Sequence, residues 1–234
     1  MMGERVKSGI LGLDEILDGG FFTGQTYGIT GGPGSGKSIF TMEFLVQGAQ
    51  MGEKGLYISS EVSVDKLIKQ MKFWDLKEFI DSGDIVPFST RPQPDEIVVE
   101  SEKFDLGGLI YLVKHYVKNK GIKRVVFDSV TAFVQQYENK KPLRRELNNL
   151  IGILESMNCT TLLIFESQNG EHTDFMEFAV DGVIELGIIE TREDVVRYLQ
   201  VKKMRGTSHD MNKRAMEIQD RGIIVTSLKP FLTG

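Results

Sequence analysis

The sequence predicts an α/β fold: a mainly parallel central sheet flanked by helices and extended at its carboxyl end by antiparallel strands. Three observations predict it. Short β-branched runs alternate with longer amphipathic ones between Gln25 and Phe165, the pattern of parallel strands joined by crossover helices. A glycine-rich octet, Gly31 to Ser38, stands directly between the first strong strand and the first strong helix. From Gly182 onward, strand-like runs follow one another with only turns between them.

Gln25–Thr30 reads as a strand, and Gly36 to about Met51 as a helix that Gly52 stops. Gly55–Ser59 is the next strand, followed by a helical stretch with Leu67, Ile68 and Met71 on one face. Asp84–Phe88 is a third strand that runs into the proline-rich segment Arg91-Pro92-Gln93-Pro94. Leu106–Asn119 is helical, and Lys123–Asp128 is a strand ending on an acid. Pro142, tolerated in a first helical turn, opens the helix Leu143–Met157, and Thr160–Phe165 is a further buried strand. The antiparallel tail comprises Gly182–Ile189, Val195–Met204, Ala215–Gln219 and Ile223–Ser227. Phe73, Trp74 and Leu76 read as core, while His115 and His172 belong to no partner pattern. No repeat, low-complexity segment or linker interrupts the chain, so residues 1–234 are expected to form a single domain.

Composition narrows the function classes. An apolar fraction of 41% and a charged fraction of 26% over 234 residues describe a globular protein able to bury a core. The balance of 28 basic against 33 acidic residues argues against a dedicated nucleic-acid module. The basic runs Lys118–Arg124 and Lys140–Arg145 read as solvated turns and helix ends, with contact to a nucleic-acid backbone less favoured. A single cysteine, Cys159, excludes an internal disulfide, and no Cys/His cluster has zinc-ligand spacing. The start of the chain lacks the apolar core of a signal peptide, and the longest apolar runs reach about half of the roughly 20 residues a membrane span requires. A reduced, cytoplasmic location is the expectation.

Gly31-Gly32-Pro33-Gly34-Ser35-Gly36-Lys37-Ser38 satisfies the phosphate-loop pattern G-x-x-x-x-G-K-[ST] in the strand–loop–helix setting that pattern requires. Glycines permit positive φ and bring bare amides against phosphate oxygens, while the helix that starts here turns its positive end to the same anion. Lys37 supplies charge for the outer phosphates, and the Ser38 hydroxyl is placed to ligate magnesium. Ile39, the next residue, is counted in the same site. The expected ligand is ATP with Mg2+.

Two acids end neighbouring strands. Asp128, at the carboxyl end of a central strand, faces the ligand crevice of an open α/β sheet and can hold magnesium opposite Ser38; the plainer alternative is an acid capping the next segment. Glu61 follows Gly55–Ser59, where a carboxylate can orient and deprotonate an attacking water. An acid in a first helical turn is stabilised by the macrodipole without any catalytic role, and spacing alone does not separate the two readings. Lys203 and Arg205 are two apart in a strand-like run and project from one face; they read either as contacts to phosphate or as a basic guard on a sheet edge.

With these residues in place the chain resembles the KaiC and RadA branch of the RecA-like ATPases, in particular the single-domain KaiC-like proteins of archaea. The resemblance covers essentially the whole chain. It begins with Ser8-Gly9-Ile10-Leu11-Gly12-Leu13-Asp14 and Gly19-Gly20, and continues through the phosphate loop, Val126-Phe127-Asp128-Ser129-Val130-Thr131-Ala132 and Arg144-Arg145-Glu146-Leu147. It closes with Lys203-Met204-Arg205-Gly206-Thr207-Ser208-His209. The resemblance implies a RecA-like P-loop NTPase fold and a homo-oligomer, as a hexameric ring, with ATP bound between subunits. It implies that Glu61 is catalytic alongside Lys37, and that Lys203, Arg205 and His209 reach the nucleotide of the adjacent subunit. KaiC carries two adjacent glutamates where this chain has Glu61-Val62. It carries neighbouring serine and threonine in its phosphorylated half where this chain has Glu177-Phe178, so no autophosphorylation is expected there. Glu166-Ser167-Gln168 ends the strand where RecA relatives keep a polar group sensing the γ-phosphate; Gln168 or Glu166 reads either as coupling nucleotide state to Asn169–Phe175 or as simple strand termination.

Three functions follow. The first is an ATPase acting at subunit interfaces. The second is a nucleotide-gated scaffold with little turnover, to which Val62 points. The third is a recombinase paralogue binding single-stranded DNA, which the acidic balance disfavours.

Overall fold

The computed structural model describes residues 3–60, 62–71, 74–90, 106–131, 140–165, 174–190 and 194–226. The chain opens with strand β1 (Arg5–Val6), helix α1 (Leu13–Ile16) and strand β2 (Phe21–Phe22). Then come β3 (Thr26–Thr30), α2 (Lys37–Gln50), β4 (Lys54–Ser59), α3 (Val64–Gln70), α4 (Leu76–Asp81) and β5 (Ile85–Ser89). After these follow α5 (Leu106–Lys120), β6 (Ile122–Asp128), α6 (Lys140–Ser156), β7 (Thr160–Phe165) and α7 (Asp174–Ala179). Strands β8 (Gly182–Glu190), β9 (Val195–Met204), β10 (Arg214–Gln219) and β11 (Gly222–Val225) close the fold.

The sheet is mixed as expected. Among the described residues it has nine strands in the order β11-β10-β9-β8-β3-β7-β6-β4-β5, with β8 to β5 parallel and β9 to β11 antiparallel. The predicted strands and long helices are present, with ends moved by a residue or two, except that α6 begins at Lys140, three residues before the expected Leu143. The strand expected to end at Ser227 ends at Val225, and Ser227 lies outside the described residues, as do Phe73, His172 and the segment 91–94. Trp74 is partly buried and Leu76 fully so, the latter at the start of a helix that periodicity did not reveal. Among the described residues no helix is long and apolar enough to cross a membrane.

Two cores sandwich the sheet. On one face Phe40, Phe44 and Leu45 of α2 meet Tyr27, Tyr57, Val126 and Ile184. On the other, Leu109 and Val113 of α5 and Leu147, Leu150 and Leu154 of α6 cover Leu56, Val125, Phe127 and Leu163. The run Ser8–Asp14 is architectural. The Ser8 amide donates to Asp14 Oδ1 at 2.8 Å, and Arg5 donates to the carbonyls of Leu17 and Gly20 at 2.8 and 2.7 Å and to Thr207 Oγ1 at 2.9 Å. The first family run is thereby clasped to the last.

The basic run Lys118–Arg124 is corrected at its end. Lys118, Lys120 and Lys123 are exposed, but Arg124 is buried, donating to Glu53 Oε2 at 2.7 Å and to the carbonyls of Lys7 and Phe44 at 2.9 and 2.8 Å. Its inward position on β6 removes it from any nucleic-acid surface. Lys141, Arg144 and Arg145 are exposed, as expected of the outer face of an amphipathic helix.

Candidate functional site

The phosphate loop emerges from the carboxyl end of β3 and leads straight into α2. Gly31 has φ 147°, and a Cβ there would lie 1.9 Å from the Leu186 carbonyl oxygen, so the loop can run against β8 only with glycine in that place. Gly36, with φ 102°, caps α2 in a left-handed conformation and aims the first free amides of the helix into the loop. Ser35 is buried, its hydroxyl donating to the Gly32 carbonyl at 2.9 Å. The Lys37 ammonium donates to the carbonyls of Gly31 and Gly32 at 2.8 and 2.9 Å, folded back along the loop it serves.

Parallel register sets the opposing wall. Ser59 of β4 stands beside Asp128 of β6, and β7 separates β6 from β3. Asp128 and the loop therefore share one edge of the sheet, about 10 Å apart across it. A cavity of about 450 Å³ lies between them, lined by Pro33, Gly34, Gly36, Lys37, Ser38 and Ile39 on one side and by Asp128 and Ser129 on the other. Asp128 is 8% exposed, and the Tyr57 hydroxyl donates to its Oδ2. Gly31, Gly32 and Ser35 line a separate cavity of about 390 Å³ behind the loop, together with Glu185, Gly187 and Tyr198.

Glu61 lies outside the described residues, but its neighbours are tied down. The Ser60 amide donates to the Asp128 carbonyl at 2.8 Å, and the Val62 amide to Ser59 Oγ at 2.9 Å. Glu166 and Gln168 also lie outside the described residues.

The basic pair is brought together, at the opposite edge of the sheet. Lys203 donates to the carbonyls of Glu177, Phe178 and Val180 at 2.7, 3.4 and 2.6 Å, and Arg205 to the Phe178 carbonyl at 3.2 Å. Both cations gather at the carboxyl end of α7, where carbonyls lack helical partners. Arg205 falls just past the end of β9 rather than on it, yet turns to the same side as Lys203 and also pairs with Asp181 at 3.5 Å. Burial, and then the adjacent guanidinium, hold the Lys203 ammonium below the ordinary lysine range. His209 is half-buried, with Nδ1 at 3.2 Å from the Thr207 carbonyl, and turns back on its own loop.

Sequence reasoning missed part of the cavity wall. Arg197 of β9 donates to the Gly34 carbonyl at 3.2 Å, and Ile164 of β7, Ile218 of β10, and Gln70 and Met71 at the end of α3 complete the lining. The antiparallel pairing of β8, β9 and β10 carries Arg197 and Ile218 there, and no local motif marks them.

Comparison with known proteins finds relatives over nearly the whole chain. The family model described as the KaiC ATPase matches residues 6–230. A UPF0273 protein of Thermotoga maritima is 36% identical over 96% of each chain, and one of Pyrococcus furiosus is 36% identical over 96% of this chain and 94% of its own. The circadian clock protein KaiC3 of Synechocystis is 30% identical over 96% of this chain, which spans 46% of that longer protein. The crystal structure of a KaiC-like protein from Pyrococcus horikoshii superposes with a TM-score of 0.82 at 32% identity, covering 96% of this chain and 99% of the other.

Proposed function

The chain belongs to the KaiC ATPase family, and from that membership we propose that it binds Mg-ATP on the loop Gly31–Ser38 and hydrolyses it where copies of the chain meet. The observation that carries this reading is the cavity shared by Lys37, Ser38 and Asp128 at the carboxyl edge of the parallel strands. Phosphate oxygens would lie against the loop amides and the start of α2, with the Lys37 ammonium balancing charge on the outer phosphates. Beside the loop, Arg197 offers a planar cation and Ile218 an apolar branch, a pair suited to the faces of an aromatic base.

Ser38 and Asp128 fit a magnesium ion. Both offer oxygen into one cavity, and magnesium takes one or two protein groups and completes its shell with phosphate and water. When bound, magnesium neutralises phosphate charge and orients the transferred group. Glu61, next in sequence to the anchored residues Ser60 and Val62, is the base that accepts the proton of the attacking water.

Lys203 and Arg205 stand at the far edge of the sheet, so they serve a nucleotide on a neighbouring copy, with His209 in the same run. This favours a homo-oligomer, a hexameric ring by kinship, in the cytoplasm. Val62, in place of a second glutamate, keeps the scaffold reading in view.

Phosphate release from wild type and Glu61→Gln decides between the two. The ATPase reading expects measurable release in wild type and a loss of about 10²-fold or more in the variant. Identical near-zero rates would make the protein a nucleotide-gated scaffold.

A further inference from the structure

Asp128 is gripped by a residue that belongs to no phosphate-binding motif. Tyr57 lies on β4 opposite Val126 of β6, on the face covered by α2. It is 1% exposed, and its hydroxyl donates to Asp128 Oδ2. Farther along the same chain segment, the Ser60 amide donates to the Asp128 carbonyl at 2.8 Å. The Ser60 hydroxyl both donates to the Ser129 carbonyl and accepts from the Ser129 amide, each at 3.1 Å. The end of β6 is thus held at its backbone by Ser60 and at its carboxylate by Tyr57.

A core tyrosine needs an acceptor for its hydroxyl, and a backbone carbonyl would satisfy it. Here the acceptor is the one carboxylate on this cavity wall among the described residues. An O–H bond to an anionic oxygen is stronger than one to a neutral acceptor. It restrains the rotation of the carboxyl group and engages Oδ2 while leaving Oδ1 free of the tyrosine. Residues that orient a metal ligand in this way commonly govern metal affinity without touching the metal.

We infer that Tyr57 is a positioning residue for the magnesium step: its hydroxyl locks the Asp128 carboxylate in the orientation that receives a divalent cation. The inference rests on the reading of Asp128 given above. Nucleotide binding without metal depends on the loop and Lys37, and is independent of Tyr57.

The test uses Tyr57→Phe, which keeps the ring and removes only the hydroxyl oxygen. Mn2+ binding is followed by water-proton relaxation in the presence of a non-hydrolysable ATP analogue, beside binding of the same analogue in EDTA. Tyr27→Phe is the control, a second buried tyrosine whose hydroxyl bonds the Phe22 amide at 2.9 Å and Gln25 at 3.0 Å. Tyr57→Phe is expected to weaken Mn2+ binding about 10-fold or more, with analogue binding in EDTA unchanged and the control unchanged in both. Unaltered Mn2+ binding in Tyr57→Phe, or an equal loss in Tyr27→Phe, overturns the inference.

Asp128→Asn separates the two levels. If that variant binds Mn2+ like wild type, the magnesium reading itself fails; if it loses Mn2+ while Tyr57→Phe does not, only the positioning role fails. Should Tyr57→Phe not fold, 3-fluorotyrosine placed at position 57 of the otherwise wild-type chain supplies the measurement. Its fluorine resonance is expected to shift as Mg2+ is titrated into the nucleotide complex, and a resonance that stays fixed overturns the inference.

Discussion

Arg197 and Arg205 bracket β9: the first donates to the Gly34 carbonyl of the chain's own phosphate loop, the second to the Phe178 carbonyl at the opposite edge of the sheet. Eight residues of nearly extended chain separate them by about 26 Å. The strand and the residue that follows it therefore carry one arginine to the pocket of their own chain and present another away from it.

Mixing experiments tell the two apart. Arg205→Ala alone is expected to lower turnover on the order of 10³-fold or more, the scale seen when an arginine acting on the transferred phosphate is lost. Added in rising proportion to wild type, it should depress turnover more steeply than dilution, because each variant subunit disables a neighbour's site. Arg197→Ala should weaken nucleotide binding strictly in proportion to its share. Proportional loss for Arg205→Ala would remove its role across the interface.

Glu43 gives stability a pH dependence. It sits on α2, 6% exposed, with Oε2 accepting the Ile223 amide at 2.8 Å, and burial holds its carboxyl up at about 7 against an ordinary value of 4.5. The folded chain keeps this proton where the unfolded chain releases it. Its destabilising effect is absent below pH 4.5, grows up to about pH 7 and is constant above. Glu43→Gln retains an acceptor for the Ile223 amide. It is expected to stabilise the protein by roughly 1–3 kcal/mol at pH 8, with the gain vanishing near pH 4. Denaturant midpoints at the two pH values check this; an equal gain at both would refute it.

Arg124 is the internal brace that its sequence neighbours conceal. Removing its guanidinium strands the Lys7 carbonyl, takes the second donor from the helical Phe44 carbonyl and opens space against Gly48 and Phe44. Arg124→Met is expected to cost about 2–4 kcal/mol. Glu53→Gln, at a residue whose side chain is 32% exposed and which keeps an acceptor oxygen, should cost less than about 1 kcal/mol. Urea unfolding of both variants is the check, and equal losses would contradict the assignment.

Local signals made much of this molecule legible. The octet 31–38 declared its conformation, because glycines, lysine and serine at fixed spacing after a strand leave few alternatives. The long elements showed their periods. By contrast, β1 and β2 have two residues each and α7 has six, too short for any period to register. What depends on register was hidden. Tyr57 and Asp128 lie 71 positions apart and meet only because β4 and β6 pair as they do. Arg197 and Ile218 reach the cavity through antiparallel pairing that no turn motif specifies. Arg124 looked like part of a basic surface run because composition does not reveal which face of a strand turns inward.

In the proposed function the loop 31–38 closes on a triphosphate through its amides and one ammonium. Titration calorimetry with Mg-ATP, on wild type and Lys37→Ala side by side, measures this contact. Saturable heat in wild type and its loss in Lys37→Ala are the predicted result; absence of heat in wild type, or an unaltered isotherm in the variant, would contradict it.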